Sequence, residues 1–313
     1  MKTNPRSLLL LLAMTLLCAC EHLQVPADDF FEEDTFAPDS LATEFPNLPF
    51  SVVTPADTLA FASMQKELEP LGSWSYDVEG IYCSPATGKP LFAAFTTRQY
   101  RVHHFYDKEF GNLFNRLQAC LPQYQVRVLR SNEATHHWLV EATNDRTPPT
   151  YYSYDTDSDA VALIHAPSQA RLMKRLARVR PLTFTARDGQ RIDAYLTLPH
   201  HLEPEKARNL SFVLLTRADS TRHYWEYNPF AQFYASRGCA VVQVNARGSE
   251  GYGREFLSAA SQRQDDIDDA LSWLQARGIV NPQKKAVHRL EETDGKDVAA
   301  RVAYCEETLR SIK

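Results

Sequence analysis

Between residues 182 and 282 short apolar runs alternate with amphipathic stretches, and this alternation restricts the fold more than any other feature of the chain. Ile192, Ala194, Leu196 and Leu198 occupy every second position after an Asp188-Gly189 turn, the period of a half-buried strand. Phe212 to Leu215 is a short buried strand, and Ala240 to Val244, apolar except for Gln243, suits a strand inside a parallel sheet. Pro229 opens a helix with Phe230, Phe233 and Tyr234 on one face, and Gly238 stops it. Asp265 and Asp266 sit in the first turn of the next helix, where the dipole favours them. Its Ile267, Ala270, Leu271 and Leu274 form a stripe that ends at Gly278. Strands and helices taken in turn predict an α/β fold from about residue 180 to 313.

The preceding stretch, residues 58–179, reads as all-β. Leu91–Thr97, Gln125–Arg130, Trp138–Ala142, Thr150–Tyr154 and Val161–His165 are β-rich and separated by polar or Pro-containing links. One helix interrupts them, with Phe110, Leu113, Phe114 and Leu117 on a common face. Short strands in this succession fit the blades of a β-propeller. At roughly 40–45 residues per blade the region holds two or three, and closed propellers need about four to eight. A partial propeller is therefore expected.

The first residues form a targeting segment. Lys2 and Arg6 precede an apolar stretch, Leu8 to Leu17, of signal-peptide length, so residues 1–19 are expected to be removed. Leu17-Cys18-Ala19-Cys20 resembles a bacterial lipobox, which implies lipid attachment at Cys20. Glu21 after that cysteine resembles the outer-membrane sorting pattern, implying the periplasmic face of the outer membrane. Residues 20–57 are acidic and hold Pro26, Pro38, Pro46, Pro49 and Pro55, a composition that predicts a mostly extended tether. Among the 313 residues the net charge of −5 gives no electrostatic footprint for nucleic acid. Cys83, Cys120, Cys239 and Cys305 match no metal or redox spacing, and no bridge is predicted.

Three sets of residues carry a family resemblance: Arg187-Asp188-Gly189 with Ala194–Pro199, then Gln243-Val244-Asn245-Ala246-Arg247-Gly248-Ser249-Glu250-Gly251-Tyr252-Gly253, then Gln264-Asp265-Asp266-Ile267. In order and spacing they resemble the prolyl oligopeptidase family of serine peptidases, on its acylaminoacyl-peptidase and dipeptidyl-peptidase side. The resemblance implies a β-propeller before an α/β-hydrolase domain, peptide-bond hydrolysis through a Ser/Asp/His triad, and no cofactor. The chain departs from that pattern in three places. The strand that follows Asn281-Pro282 reads as a stub, Ala286-Val287-His288; after it the family carries Gly-x-Ser-x-Gly, whereas Arg289-Leu290-Glu291-Glu292-Thr293 stands here, and the serine motif occurs nowhere. The stretch after Pro282 is too short for the remaining strands and triad loops. At the oxyanion loop, where the family carries His-Gly-Gly-Pro, the chain reads Thr216-Arg217-Ala218-Asp219. The Trp-Gly-Gly expected between Phe256 and Asp265 is missing. The expectation is a truncated, degenerate member without a catalytic residue, with an α/β-hydrolase sheet that is incomplete.

Other patterns carry less. Ser258 or Ser261 with His288 and Asp294 supply triad residue types, but nothing in the sequence places them together. Gly248–Gly253 lacks the Lys-Ser/Thr ending of a phosphate loop and reads as a turn. Asp155-x-Asp157-x-Asp159 fails as a calcium loop, with Ala160 and Ala166 at the glycine and glutamate positions. The pairs His103-His104, His136-His137 and His200-His201 cannot chelate from one strand, so no metal is expected. Val298, Val302, Cys305, Leu309 and Ile312 form a narrow helical seam that either closes on the sheet or meets a second copy. Expected partners are the membrane through the lipid, and peptides or an envelope protein.

Overall fold

The computed structural model describes residues 25–57, 76–293 and 295–312; the targeting segment and Cys20 lie outside them. The described chain builds three sheets. Strands β1 (Ser51–Val53), β2 (Gly80–Cys83), β3 (Pro90–Thr96) and β4 (Arg101–Phe105) form a four-stranded antiparallel meander. A second four-stranded meander holds β5 (Gln125–Asn132), β6 (His137–Asn144), β7 (Thr147–Asp155) and β8 (Val161–His165). Helix α1 (Lys108–Cys120) joins them, and the Asp107 carboxylate caps it by accepting the Phe110 N–H at 2.8 Å. Phe114 and Leu117 from α1 pack with Val126, Val140 and Tyr154, so the helix shares a core with the second sheet. Neither meander closes on itself.

β1, β2 and β4 escaped the sequence pattern. β1 is only three residues long, and β4 (Arg101-Val102-His103-His104-Phe105) is half-buried at every position, so it has no alternating face to read.

The third sheet is mixed and five-stranded, in the order β13-β11-β12-β10-β9: β9 is Val179–Thr185, β10 Arg191–Thr197, β11 Leu210–Thr216, β12 Ala240–Asn245 and β13 Val280–Arg289. β9, β10 and β12 pair antiparallel; β12, β11 and β13 pair parallel. Helices α2 (Pro229–Ser236), α3 (Arg254–Ser258), α4 (Arg263–Ala276) and α5 (Val298–Arg310) complete it. Alternate residues of β11 serve two cores. Phe212 and Leu214 pack with Ala270 and Leu274 of α4. Val213 and Leu215 face the other way, towards Phe233 of α2 and Cys305 of α5. The seam on α5 thus packs on its own sheet, on the same face as α2.

Two expectations change here. β10 is not half-buried: Asp193, Tyr195 and Thr197 are covered as fully as Ile192 and Leu196. The first meander lies over that face, where the Tyr195 hydroxyl donates to the Arg98 carbonyl at 2.7 Å and the Tyr76 hydroxyl to Asp193 at 2.8 Å. β13 is not a stub around Ala286 but a ten-residue strand, with a register shift where it passes Leu210 and Phe212.

Residues 25–57 do not run as an extended tether. Pro26 precedes and Pro38 opens 3-10 turns at Asp28–Phe30 and Pro38–Leu41, and Phe30, Phe31 and Phe45 are buried. Phe31 lies 5.0 Å from the Phe230 ring and 5.8 Å from Phe233, which joins this segment to α2. Burying one such side chain contributes roughly 1.5–3 kcal/mol. Aromatic content, which the proline-based reading left out, was the available signal.

Candidate functional site

In open α/β sheets ligands sit beyond the carboxyl ends of the strands, near the point where strand order reverses. Here that point lies between β11 and β12, and the loop after β11 is Thr216-Arg217-Ala218-Asp219. Asp219 holds its own turn: its carboxylate accepts from the Thr221 N–H at 3.1 Å and the Thr221 hydroxyl at 2.9 Å. The Thr221 hydroxyl bond holds the Asp219 carboxyl below its ordinary pKa, and Arg217 in the same loop adds to that effect.

Arg263, the first residue of α4, clamps the loop from below. Its guanidinium donates to the Arg217 carbonyl at 3.1 Å, the Asp219 carbonyl at 2.9 Å and the Gly248 carbonyl at 3.0 Å. A cation at a helix N-terminus opposes the dipole, and that mismatch was the one sequence sign of a special role. Gly248 has φ +90, and a Cβ there would stand 2.7 Å from the Cβ of Ala260, so glycine is required at this crossing.

Deeper in, His223 is buried and its pKa is lowered to about 3, first by burial and then by Arg217. Its backbone N–H donates to Asn245 Oδ1 at 2.7 Å, and its ring Nδ1 lies 3.1 Å from Gln243 Nε2. These bonds make it a neutral structural group with no serine hydroxyl as a partner among the described bonds. The crevice framed by Thr216, Arg217, His223 and Ser249 has a volume of about 20 Å³, room for about one water.

β13 ends where an elbow would begin. It runs into a 3-10 turn, Leu290–Glu292, with Leu290 buried. His288, fully enclosed, lies 2.8 Å from the Tyr234 hydroxyl, packs against the rings of Phe230 and Tyr304, and has its pKa lowered to about 4 by burial. Ser258 donates to the Glu255 carbonyl instead. The structure therefore does not bring Ser258 to His288; Asp294 is outside the described residues. Asp155 holds a turn by accepting from Asp157 N–H and the Ser158 hydroxyl, and His136 pairs with Asp157 at 2.8 Å. Among the described residues no group of three His, Cys, Asp or Glu is placed to hold a metal, and the four cysteines there are free.

A larger space lies elsewhere. A cleft of about 740 Å³ opens between the two meanders and the loop Tyr224–Tyr227. Its size lies within the range of ligand pockets. Arg101 and Glu79 pair at 2.9 Å on one wall, and Arg127 and Glu141 at 3.5 Å on another. Trp225 is pinned by its indole N–H to the Val179 carbonyl at 2.9 Å, and the Tyr100 ring meets it edge-on at 5.4 Å. No sequence motif marked this cleft, because its walls come from segments far apart in the chain.

A mixed sheet with β10 antiparallel at its start, parallel strands following, and helices on both faces is the opening part of an α/β-hydrolase type of fold. Residues 225–288 match the model of the prolyl oligopeptidase family. The chain is 27% identical over 224 residues to dipeptidyl aminopeptidase BIII of Pseudoxanthomonas mexicana, covering 67% of this chain and 32% of that protein. It is 26% identical over 139 residues to the uncharacterized peptidase YuxL of Bacillus subtilis (strain 168), covering 43% of this chain and 21% of that one. The solved dipeptidyl peptidase 4 of Porphyromonas gingivalis superimposes with a TM-score of 0.52 at 16% identity, over 71% of this chain and 32% of its own. Over these segments the chain is similar to members of the prolyl oligopeptidase family. It spans about a third or less of the length of these relatives.

Proposed function

We propose that this polypeptide acts without hydrolysing peptide bonds, as a lipid-anchored cell-envelope protein that binds peptide segments in the cleft between its meanders. One observation carries the first half: beyond β13, where the family's nucleophilic serine stands, the chain makes a closed 3-10 turn with a buried leucine. Acyl transfer needs a hydroxyl next to a base and N–H donors aimed at the forming oxyanion. Here His288 is enclosed, with the Tyr234 hydroxyl at 2.8 Å on Nδ1 and the Thr293 hydroxyl at 3.5 Å from Nε2, and Thr293 is itself buried and donates to the Leu290 carbonyl, so neither group reaches a substrate.

Each meander has the strand count of one propeller blade, and we read the pair as a partial propeller whose facing edges frame the cleft. The small crevice at the strand ends cannot admit a peptide, whereas the cleft can. Cys20 is the proposed lipid acceptor, and the periplasmic face of the outer membrane the proposed location.

A fluorophosphonate probe tests the first claim. No serine of the purified chain should be labelled, and labelling together with turnover that disappears when that serine is replaced would overturn it. Incorporation of labelled palmitate that is lost in Cys20→Ala tests the anchor.

A further inference from the structure

We infer that the cleft selects a cationic side chain, a lysine ammonium or arginine guanidinium, and that Glu226 with the rings of Trp225 and Tyr100 receives it. This rests on the peptide-binding reading above and names its ligand class.

Charge comes first. The lining holds the carboxylates of Glu79, Glu141 and Glu226 against the guanidiniums of Arg101 and Arg127. Arg101 is spent on Glu79 and on the Tyr82 hydroxyl, and Arg127 on Glu141. Glu226 is exposed as a residue and makes no hydrogen bond or ion pair among the described contacts, while desolvation by the cleft walls raises its carboxyl pKa and Arg217 lowers it. It is the one lining carboxylate without a salt bridge among the described residues. His103, the lining histidine, has its pKa lowered to about 3 by burial and adds no positive charge at neutral pH.

The aromatic groups agree with that sign. Trp225 immediately precedes Glu226, and its ring packs edge to face with Tyr100, which is half exposed. Aromatic faces attract cations through their quadrupole, and tryptophan does so best. Rings and an unpaired carboxylate lining one cleft favour a cation with an apolar stem over either an anion or a neutral chain.

The receiving loop is held in place before any ligand arrives. Trp225 is tied to β9 through its indole and accepts at its carbonyl from Gln125 of the second meander at 3.5 Å. The Arg222 guanidinium stacks on Tyr224 at 5.0 Å and donates to the Thr96 and Thr97 carbonyls at 3.1 Å, which fixes the loop to the first meander. A loop fixed to all three sheets costs little ordering entropy on binding.

The test is titration calorimetry with acetyl-Ala-Ala-X-Ala-Ala-amide peptides, X being lysine, arginine, norleucine or glutamate. Blocked ends confine the cation to the side chain. Lysine and arginine peptides should bind at least ten-fold tighter than norleucine, with glutamate weakest. Glu226→Gln, a change at an exposed position that leaves the fold intact by circular dichroism, should bring the lysine peptide to the norleucine value. Equal binding of all four overturns the cation assignment and leaves the peptide-binding reading standing. A lysine preference that survives Glu226→Gln overturns the assignment of the site. No binding by any peptide overturns both.

Discussion

Arg247 and Asp266 are locked together out of solvent: the Arg247 Nε lies 3.1 and 3.0 Å from the two Asp266 oxygens, and the Arg247 N–H adds a bond of 2.8 Å. Asp266 is completely buried, and Arg247 reaches Asp188 with its remaining guanidinium nitrogen. The pair ties the loop after β12 to the first turn of α4. Removing one partner strands a buried charge, so Arg247→Met is expected to cost about 3–5 kcal/mol in urea unfolding. The double change Arg247→Met with Asp266→Leu should recover a large part of that loss.

Arg263 gives a second stability prediction with a local readout. Arg263→Met leaves the Arg217, Asp219 and Gly248 carbonyls without their shared donor. The expected loss is about 1–3 kcal/mol. Hydrogen exchange should speed up at Thr221 and Glu250, whose amides hold the same loop, and stay unchanged in the two meanders.

Phe31 tests whether the segment before the first meander belongs to the folded body. Its ring packs on α2 beside Phe230 and Phe233. Phe31→Ala is expected to lower unfolding stability by about 3–5 kcal/mol. A loss below about 0.5 kcal/mol would mean that the segment is held by its backbone alone.

Stability should fall on mild acidification. Burial lowers the pKa of His288 to about 4 from an ordinary 6.5. Above pH 6.5 the folded and unfolded chains both carry it neutral, and its contribution is complete. As the pH falls from 6.5 towards 4 the unfolded chain takes up a proton that the folded chain refuses, and stability drops by about 1.4 kcal/mol per pH unit. His103 and His223 act in the same direction. Unfolding free energies measured between pH 6.5 and pH 5 should fall more steeply than one histidine alone would give, and His288→Gln should make the slope shallower.

The parts legible in the sequence were those with a local apolar pattern. α2 and α4 read directly from helical spacing, and β11 and β12 from short continuous apolar runs. β10 misled because Asp193, Tyr195 and Thr197 are polar yet covered by a neighbouring sheet, and burial of that kind leaves no pattern within one strand. The loop Thr216-Arg217-Ala218-Asp219 was found by its place, but its clamp was hidden because Arg263 lies beyond an intervening strand and two helices. The cleft was hidden for the same reason. Tyr100, Gln125 and Trp225 meet only once three sheets are assembled.

The placement of α5 has a topological consequence. Connections between parallel strands are right-handed in nearly all proteins, so the face a helix takes sets the direction in which the sheet grows. α2 and α4 obey this on opposite faces, one stepping inward from β11 to β12 and the other outward from β12 to β13. Because α5 returns to the α2 side, any parallel strand reached from it with normal handedness would be directed back into places already filled. A parallel neighbour on the outer flank of β13 would then need a crossover that does not pass through α5.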